Sequence, residues 1–418
     1  MTPSSEPGAA VSVQSVHARR GAAAVFATFV LNGFTFANWL ARIPTIRDEL
    51  GLRPEQLGMI ILVGSLGSLT ALPVTGRILS QIGAVRTVIA ASVVAAAGLV
   101  VAVTGVAQIN PLLVGAGLFL STMGIGAWDV GMNFEGTRVE QALGRAIMPW
   151  FHGGFSIGTV LGAAAGGLAI RLGVPVPTHM LVVVGVAVVL VVVMTRGYLP
   201  ETAEQRRAAA LQGQHHGTRS YLRFWLEPRT LMVGLVVLAA ALTEGAANDW
   251  LALAVIDGFE TPNETGAFGL TVFLTAMTVM RFLGTFLLDR FGRVVVLRLC
   301  TALAIVGLLV FTLSPTLPLA LVGAVLWGMG AALGFPVGMS AASDDPAKAA
   351  GRLSVVATIG YTAFLVGPGL LGLLASHVGY RHALLAILVP LVVGLLVIPA
   401  ARPLARPAED PDGAARAA

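Results

Sequence analysis

The sequence predicts an all-α integral membrane protein: twelve transmembrane helices in two pseudo-symmetric six-helix bundles. Three observations predict it. Of 418 residues, 56% are hydrophobic and 11% are charged, whereas a soluble domain carries about 25% charged residues. The chain divides into twelve apolar stretches near the roughly 20 residues that a bilayer span needs. Short pieces of the first half also return in the second half, about 207–211 residues later.

The elements follow in order. Residues 1–18 are Ser/Pro/Ala-rich and read as a disordered cytoplasmic tail. Arg19-Arg20 then precede a long apolar segment that lacks a small-residue cleavage site, so it reads as a retained span and not a signal peptide. Charges, prolines and turn residues place the first six spans at about 21–42, 56–76, 87–107, 111–134, 150–170 and 178–195. The polar stretch 196–229 carries six arginines and His215-His216 and reads as a cytoplasmic linker. Six more spans lie at about 230–255, 266–288, 294–313, 317–340, 353–375 and 382–400. The organisation is therefore a bundle at 19–195, the linker, a bundle at 230–401 and a cytoplasmic tail at 402–418.

Twelve spans put both termini on one side. Of the 26 basic residues, 20 fall on that side, 5 on the other, and Arg281 lies inside a span. By the positive-inside rule the termini and linker are cytoplasmic, in the inner membrane. The sequence pI of about 10.1 follows from this asymmetry, so no nucleic-acid partner is expected. Cys300 is the one cysteine, which excludes an intrachain disulfide, and no Cys/His metal spacing exists.

Charges inside spans carry the functional signal, because an ionised Asp at a bilayer centre costs at least about 2.5–3.5 kcal/mol. Asp129 is the only charge from Thr87 to Phe134, and Asn133 shares its helix face at i+4. Asp129 is read as the working acid of a solute path, against the plainer reading of a solvated acid near a helix end. From 1.5 Å per residue, Asp129 lies roughly 27 Å from the far-side end of its span and Arg281 about 22 Å. They are charges of opposite sign on different halves, and a purely structural ion pair is the rival reading for Arg281. Glu244, with Asn248 one turn on, is about 22 Å up its span, too deep to reach the headgroups easily. Asn32 and Asn38 add polar groups to the first span. Arg42 and Asp249 are expected to pair at the far side, one from each half; the alternative for Arg42 is snorkelling to headgroups. His152 reads as an interfacial hydrogen-bonding group. Gly158, Gly162 and Gly166 form a smooth stripe for close packing.

The repeats are specific in order if not singly. Ala37-Asn38-Trp39-Leu40-Ala41 returns as Ala247-Asn248 and Trp250-Leu251-Ala252, with Asp249 inserted. Ser80-Gln81-Ile82-Gly83 matches Asp289-Arg290-Phe291-Gly292, Val130-Gly131-Met132 matches Val337-Gly338-Met339, and Gly144-Arg145 matches Gly351-Arg352. Parallel six-helix repeats are a secondary-transporter design with the site between them.

Asp289-Arg290-Phe291-Gly292-Arg293 resembles the helix 2–3 loop signature of the major facilitator superfamily, in its second-half copy. In the first-half copy, Ser80 stands where the acid is usual. Ile43-Pro44, Glu49-Leu50-Gly51-Leu52 and Gln56-Leu57-Gly58 are similar to the superfamily's helix 1–2 connection. Asp129 with Asn133 is similar to an acid–Asn pair in the fucose–proton symporter branch, although Asn32 and Asn38 replace that branch's helix 1 acid. The resemblance implies the major facilitator fold, a gating role for Asp289, Arg290 and Arg293, and a sugar and proton site around Asp129.

No G-x-x-x-x-G-K-[ST] is present, so ATP drive is not expected, and no Ser/His/Asp or metal cluster points to an enzyme. The expected function is proton-coupled secondary transport of a small polar solute, sugar-like solutes included, by alternating access. The expected partners are that solute, protons and the lipid bilayer, with no cofactor and a monomeric chain. The site reads as Asp129, Asn133, Glu244, Asn248, Asn32, Asn38 and Arg281, with Arg42, Asp249, Asp289, Arg290 and Arg293 gating. Efflux of a drug or metabolite is the alternative; a non-transporting membrane sensor is the reading from another class. The topology is testable directly: tags at Arg406 and within 205–218 should be cytoplasmic and a tag in 260–264 external. External labelling of the linker in intact cells would refute twelve spans.

Overall fold

The computed structural model describes residues 7–144, 147–200, 223–345 and 348–404. Residues 1–6, Arg145, the linker segment 201–222 with His215-His216, and the tail from 405 lie outside the described residues. The described residues hold twelve spans. They are carried by α1 (Pro7–Leu50), α2 (Pro54–Ala107), α3 (Pro111–Leu143), α4 (Met148–Arg171) and α5 (Val176–Met194) in the first bundle. The second bundle comprises α6 (Pro228–Phe259), α7 (Asn263–Phe291), α8 (Arg293–Leu313), α9 (Leu317–Ala331), α10 (Gly334–Ala342), α11 (Ala349–Ala383) and α12 (Leu388–Val397).

Spans and helices do not correspond one to one. α2 holds two spans, broken at Gly83 (φ 81°, ψ 169°). The repeat-equivalent Gly292, between α7 and α8, has φ 75° and ψ 163°. Both positions need a backbone that side-chain-bearing residues rarely adopt, so the glycine of each loop copy is the part that must be kept. α11 breaks in the same way at Gly379 (φ 77°, ψ 160°), and the last span runs on through α12. α9 and α10 together make one span, interrupted around Ala332-Leu333.

Two expectations are corrected. α1 begins at Pro7, so residues 7–18, expected as an irregular tail, are helical; proline is well tolerated in a first helical turn, where its missing N–H breaks no bond. α1 also runs through Pro44 to Leu50, eight residues past its expected end at 42, because the i−4 bond lost at a proline need not end a helix whose neighbours hold it.

Small residues set the spacing within each bundle. A Cβ on Gly158 would stand 2.1 Å from the Val30 carbonyl oxygen, and one on Gly162 2.4 Å from that of Phe34, so the α4 stripe packs on α1. A Cβ on Gly124 would lie 2.3 Å from Ala95 N, and one on Gly330, in the equivalent place of the other bundle, 2.2 Å from Ala304 N. The repeat therefore extends to contacts that the sequence comparison did not include.

The bundles meet unevenly. On the side away from the termini and linker, here the far side, they share one core, in which Trp39, Leu40, Ile43, Leu57 and Ile60 join Trp250, Leu371 and Tyr380. There α2 and α11 touch backbone to backbone: a Cβ on Gly58 would be 2.7 Å from the Pro368 carbonyl oxygen. Toward the linker side the first bundle has a separate core around Val25, Phe29, Val88, Trp128, Met132 and Phe151.

Gly330→Ala should destabilise the purified protein by about 1–3 kcal/mol through overpacking. Gly185, mid-α5, has no atom within 4 Å of its would-be Cβ, so Gly185→Ala should stabilise by about 0.5–1 kcal/mol. Thermal unfolding in detergent reads both; equal shifts would deny that backbone approach sets the fold.

Candidate functional site

The site grows from one side chain. Arg281 projects from α7, and its Nη2 donates to both carboxylate oxygens of Glu244 on α6, at 3.0 and 2.9 Å. Its Nη1 donates to Ser156 Oγ of α4, in the other bundle, at 3.0 Å. Its Nε donates to the carbonyl oxygen of Ala332 at 3.3 Å. That carbonyl is free for a local reason: Pro336, four residues on, has no N–H to give it. The α9–α10 break thus supplies an acceptor aimed at the arginine. Glu244 and Arg281 side chains are 18% and 20% exposed, so the pair lies inside the protein with one edge wet. Arg281 is accordingly the partner of Glu244 in its own half, and the two opposite-sign charges on different halves, Arg281 and Asp129, do not pair. His152 on α4 is within electrostatic reach of Arg281.

Asp129 and Asn133 do share a face of α3. Asn133 Nδ2 donates to Asp129 Oδ1 at 3.1 Å and to the Asp129 carbonyl at 2.9 Å. The neighbouring Trp128 points the opposite way and is 1% exposed, while Asp129 is solvent-exposed. Tyr361, on α11 of the other bundle, lies within electrostatic reach of Asp129. An acid that faces the opposite bundle and yet meets water lines a wet cleft between the bundles. With the far side closed, that cleft opens toward the linker side.

The other expected polar residues are placed differently. Asn32 and Asn38 are buried, and Asn38 Nδ2 turns back to donate to Phe34 O at 2.8 Å. Asn248 is nearly buried, and its Oδ1 has no hydrogen-bond partner. None of the three is on the exposed cleft wall.

The Arg42–Asp249 pair is not formed in this structure. Arg42 is buried; its Nε donates to His179 Nδ1 at 3.1 Å and its Nη2 donates to the Val174 carbonyl, both within the first bundle. Asp249 instead faces a small cavity of about 70 Å³. Because α1 extends to Leu50, a later arginine takes the inter-bundle role. Arg47 Nη1 donates to both oxygens of Asp257 at 2.8 Å, and its guanidinium lies 5.6 Å from the centre of the Tyr380 ring. Asn263 Nδ2 adds a bond to Asp48 Oδ2 at 3.0 Å. Arg47 and Asp257 stand 210 residues apart, within the repeat spacing, which is the signal that could have singled them out.

On the linker side, Asp289 and Arg290 are exposed, and Arg290 lies over the Phe291 ring at 5.8 Å. Arg293 is engaged: its Nη1 donates to Asp344 at 2.9 and 3.0 Å. Arg229 Nη2 donates to the same carboxylate at 2.7 Å. Asp344, which sequence reasoning missed, therefore holds two arginines. Glu135 has the comparable place in the first bundle, accepting from Arg138 and from Leu199 N, each at 2.6 Å. Glu227 accepts from Arg352 Nε at 2.7 Å. Burial acts to raise its pKa, but the hydrogen bonds from Arg352 and Thr230 and the charges of Arg352 and Lys348 outweigh it and hold the carboxyl below the usual range. This tie is present at neutral pH and lost as pH falls through that depressed value.

The family model described as Major Facilitator Superfamily matches residues 24–262 and 235–418. A Sinorhizobium fredii protein described as an uncharacterized transporter, y4wD, is 34% identical over 381 residues, covering 88% of this chain and 97% of its own. The nucleoside transporter NupG superposes with a TM-score of 0.70 at 14% identity, over 90% of this chain and 98% of that one. FucP, in its outward conformation, superposes at 0.61 with 16% identity, again over 90% and 98%.

The far-side contact makes a distinguishing prediction. Cysteines replacing Arg47 and Asp257 should be joined by a short bifunctional thiol reagent, and cysteines replacing Arg42 and Asp249 should not. The opposite pattern would reinstate the Arg42–Asp249 gate.

Proposed function

The chain belongs to the Major Facilitator Superfamily and is a multi-pass membrane transporter; from that premise we propose that it moves a small polar solute across the inner membrane by alternating access, coupled to protons. The observation that carries the reading is the Asp129–Asn133 pair, an acid kept inside a span, exposed to water and facing the other bundle. Such an acid suits reversible protonation, since it meets solvent on one side of the membrane at a time.

The excess of basic residues supports a cytoplasmic placement of the termini and linker. The described conformation is then open inward and closed outward. In the proposed cycle the bundles rock about the site, the Arg47–Asp257 and Asp48–Asn263 contacts part, and the far side opens. These are surface contacts worth on the order of 1 kcal/mol or less each, weak enough for an exchange of states. Arg281 is the pivot, because its bond to Ser156 crosses the bundles while its stronger bonds to Glu244 stay within one of them.

A polar solute fits the cleft better than an apolar one. Asp129, Asn133 and the Tyr361 hydroxyl offer donors and acceptors from both bundles, and the Glu244–Arg281 pair presents one partly wet edge. The fold is shared with a nucleoside transporter and with a fucose:proton symporter, which supports hydroxylated solutes as the first class to assay. Symport and antiport would use the same residues, so both gradient directions belong in the test.

A panel of radiolabelled nucleosides, hexoses and polyols, presented to proteoliposomes with an imposed pH gradient of each sign, tests the proposal. Asp129→Asn should abolish gradient-driven accumulation and leave solute exchange measurable. Glu244→Gln should retain the gradient dependence. Accumulation by Asp129→Asn, with loss in Glu244→Gln, would move the proton site to the second bundle.

A further inference from the structure

The acids near the bundle interface are treated unequally. Glu244 is paired with Arg281, and Asp129 is exposed and bonded to Asn133. Asp249 is half-buried, and among the described residues no hydrogen bond or ion pair reaches it. It projects from α6 into the cavity between the bundles, lined from α1 by Thr35, Trp39 and Ile43, from α2 by Ile61, and from α3 by Ser121 and Thr122. The remaining lining is apolar.

Two of the three hydroxyls in that lining do not favour an anion. Thr35 Oγ1 donates its hydrogen to Leu31 O at 2.8 Å, and Thr122 Oγ1 donates to Gly64 O. What these oxygens turn to the cavity is lone pairs, which can accept a hydrogen bond from a protonated carboxyl and offer nothing to a carboxylate. An unpaired carboxylate in such a place is costly, and the neutral acid is the form that fits. The charged groups of the packed elements are otherwise committed: Arg42 to His179 and Val174, Arg47 to Asp257, and Glu244 to Arg281. No lining residue besides Asp249 is titratable. Asp129 follows the lining residue Ile125 by one turn of α3, so the two share a helix face.

Position completes the argument. Asp249 is the residue inserted where the second-half copy of Ala37-Asn38-Trp39 is otherwise kept, and Trp39 lies on the opposite wall of the cavity. About 12 Å beyond it toward the far surface, at 1.5 Å per residue, stands Asp257 of the inter-bundle contact. Opening the far side would separate these walls and expose Asp249 to the outside.

We propose that Asp249 is a second proton-binding residue, distinct from Asp129, and that the far side closes over it only when its carboxyl is protonated. This rests on the alternating-access reading above. Proton uptake from outside permits closure, and the proton leaves toward the cleft and Asp129 after the inner side opens.

Spin labels on cysteines replacing Arg53 and Ser376, both exposed on far-side ends of α2 and α11, report closure by pulsed electron resonance in lipid nanodiscs. No solute is needed, and the native Cys300 is buried. In otherwise wild-type protein, the ratio of short to long distances should rise as pH falls, by up to about tenfold per pH unit for one linked proton. Asp249→Asn should hold the short distance at every pH, Asp249→Glu should restore the pH dependence, and Asp129→Asn should keep it. A pH-independent ratio in wild type, or an unchanged slope in Asp249→Asn, would overturn the proposal. If the slope behaves as expected while proteoliposomes accumulate no solute at any gradient, the transport reading fails and the proton lock stands.

Discussion

A guanidinium cannot lie deep in a membrane protein without acceptors for its hydrogens, and the centre of this structure is arranged around that requirement. Arg281 takes its counter-charge from α6, a hydroxyl from α4 and a carbonyl from the break before α10. Each is a different kind of commitment. The carboxylate balances charge, at a desolvation cost that a partly wet edge reduces. The carbonyl is available only because Pro336 cannot bond to it. The hydroxyl of Ser156 is the one partner from the other bundle, and a hydrogen bond from a charged donor to a neutral hydroxyl, about 1.5–3 kcal/mol, can be exchanged with water as the bundles move. Strong bonds inside a bundle and a weaker one between bundles allow a rigid half to pivot without exposing an uncompensated charge.

The two copies of the six-helix unit have diverged along the same line. At the position where the first bundle has Asp129, the second has Pro336. One copy therefore keeps an acid free to face the cleft, and the other uses the place to anchor its arginine. The small-residue contacts that hold spans together, such as Gly124 on Ala95 and Gly330 on Ala304, did not diverge, since a side chain there would meet backbone. What is conserved between the halves is spacing, and what differs is charge.

This explains which features were legible in the sequence. Twelve spans were readable from hydropathy, because a bilayer imposes a length and an apolar composition on each of them. The Gly83 and Gly292 breaks were readable as repeated loops, because both copies need the same positive φ. The Asp129–Asn133 contact followed from helical spacing alone. The far-side pairing did not follow, since it depended on whether α1 stopped at residue 42 or continued through Pro44, and eight residues of helix carry Arg47 about 7.5 Å beyond Arg42. The partner of Arg281 was equally out of reach: depth along a span gives no rotation about the helix axis, and rotation decided between Glu244 and Asp129. Asp344 was overlooked for the opposite reason, because an acid near a helix end looks solvated until two arginines from distant segments are seen to share it.

In the proposed cycle, the asymmetry of the core would give the acids different roles. Where the two bundles share one apolar core, on the far side, an acid can remain only if it is neutral or paired, and Asp249 has no pair. Where the first bundle keeps a separate core, toward the linker, Asp129 is exposed between the bundles. A motion that opens the far side would leave Asp249 wet. The placement of two acids on opposite sides of one rocking interface is thus sufficient to make protonation depend on conformation, and by linkage to make conformation depend on protonation, with no element besides the helices that already carry them.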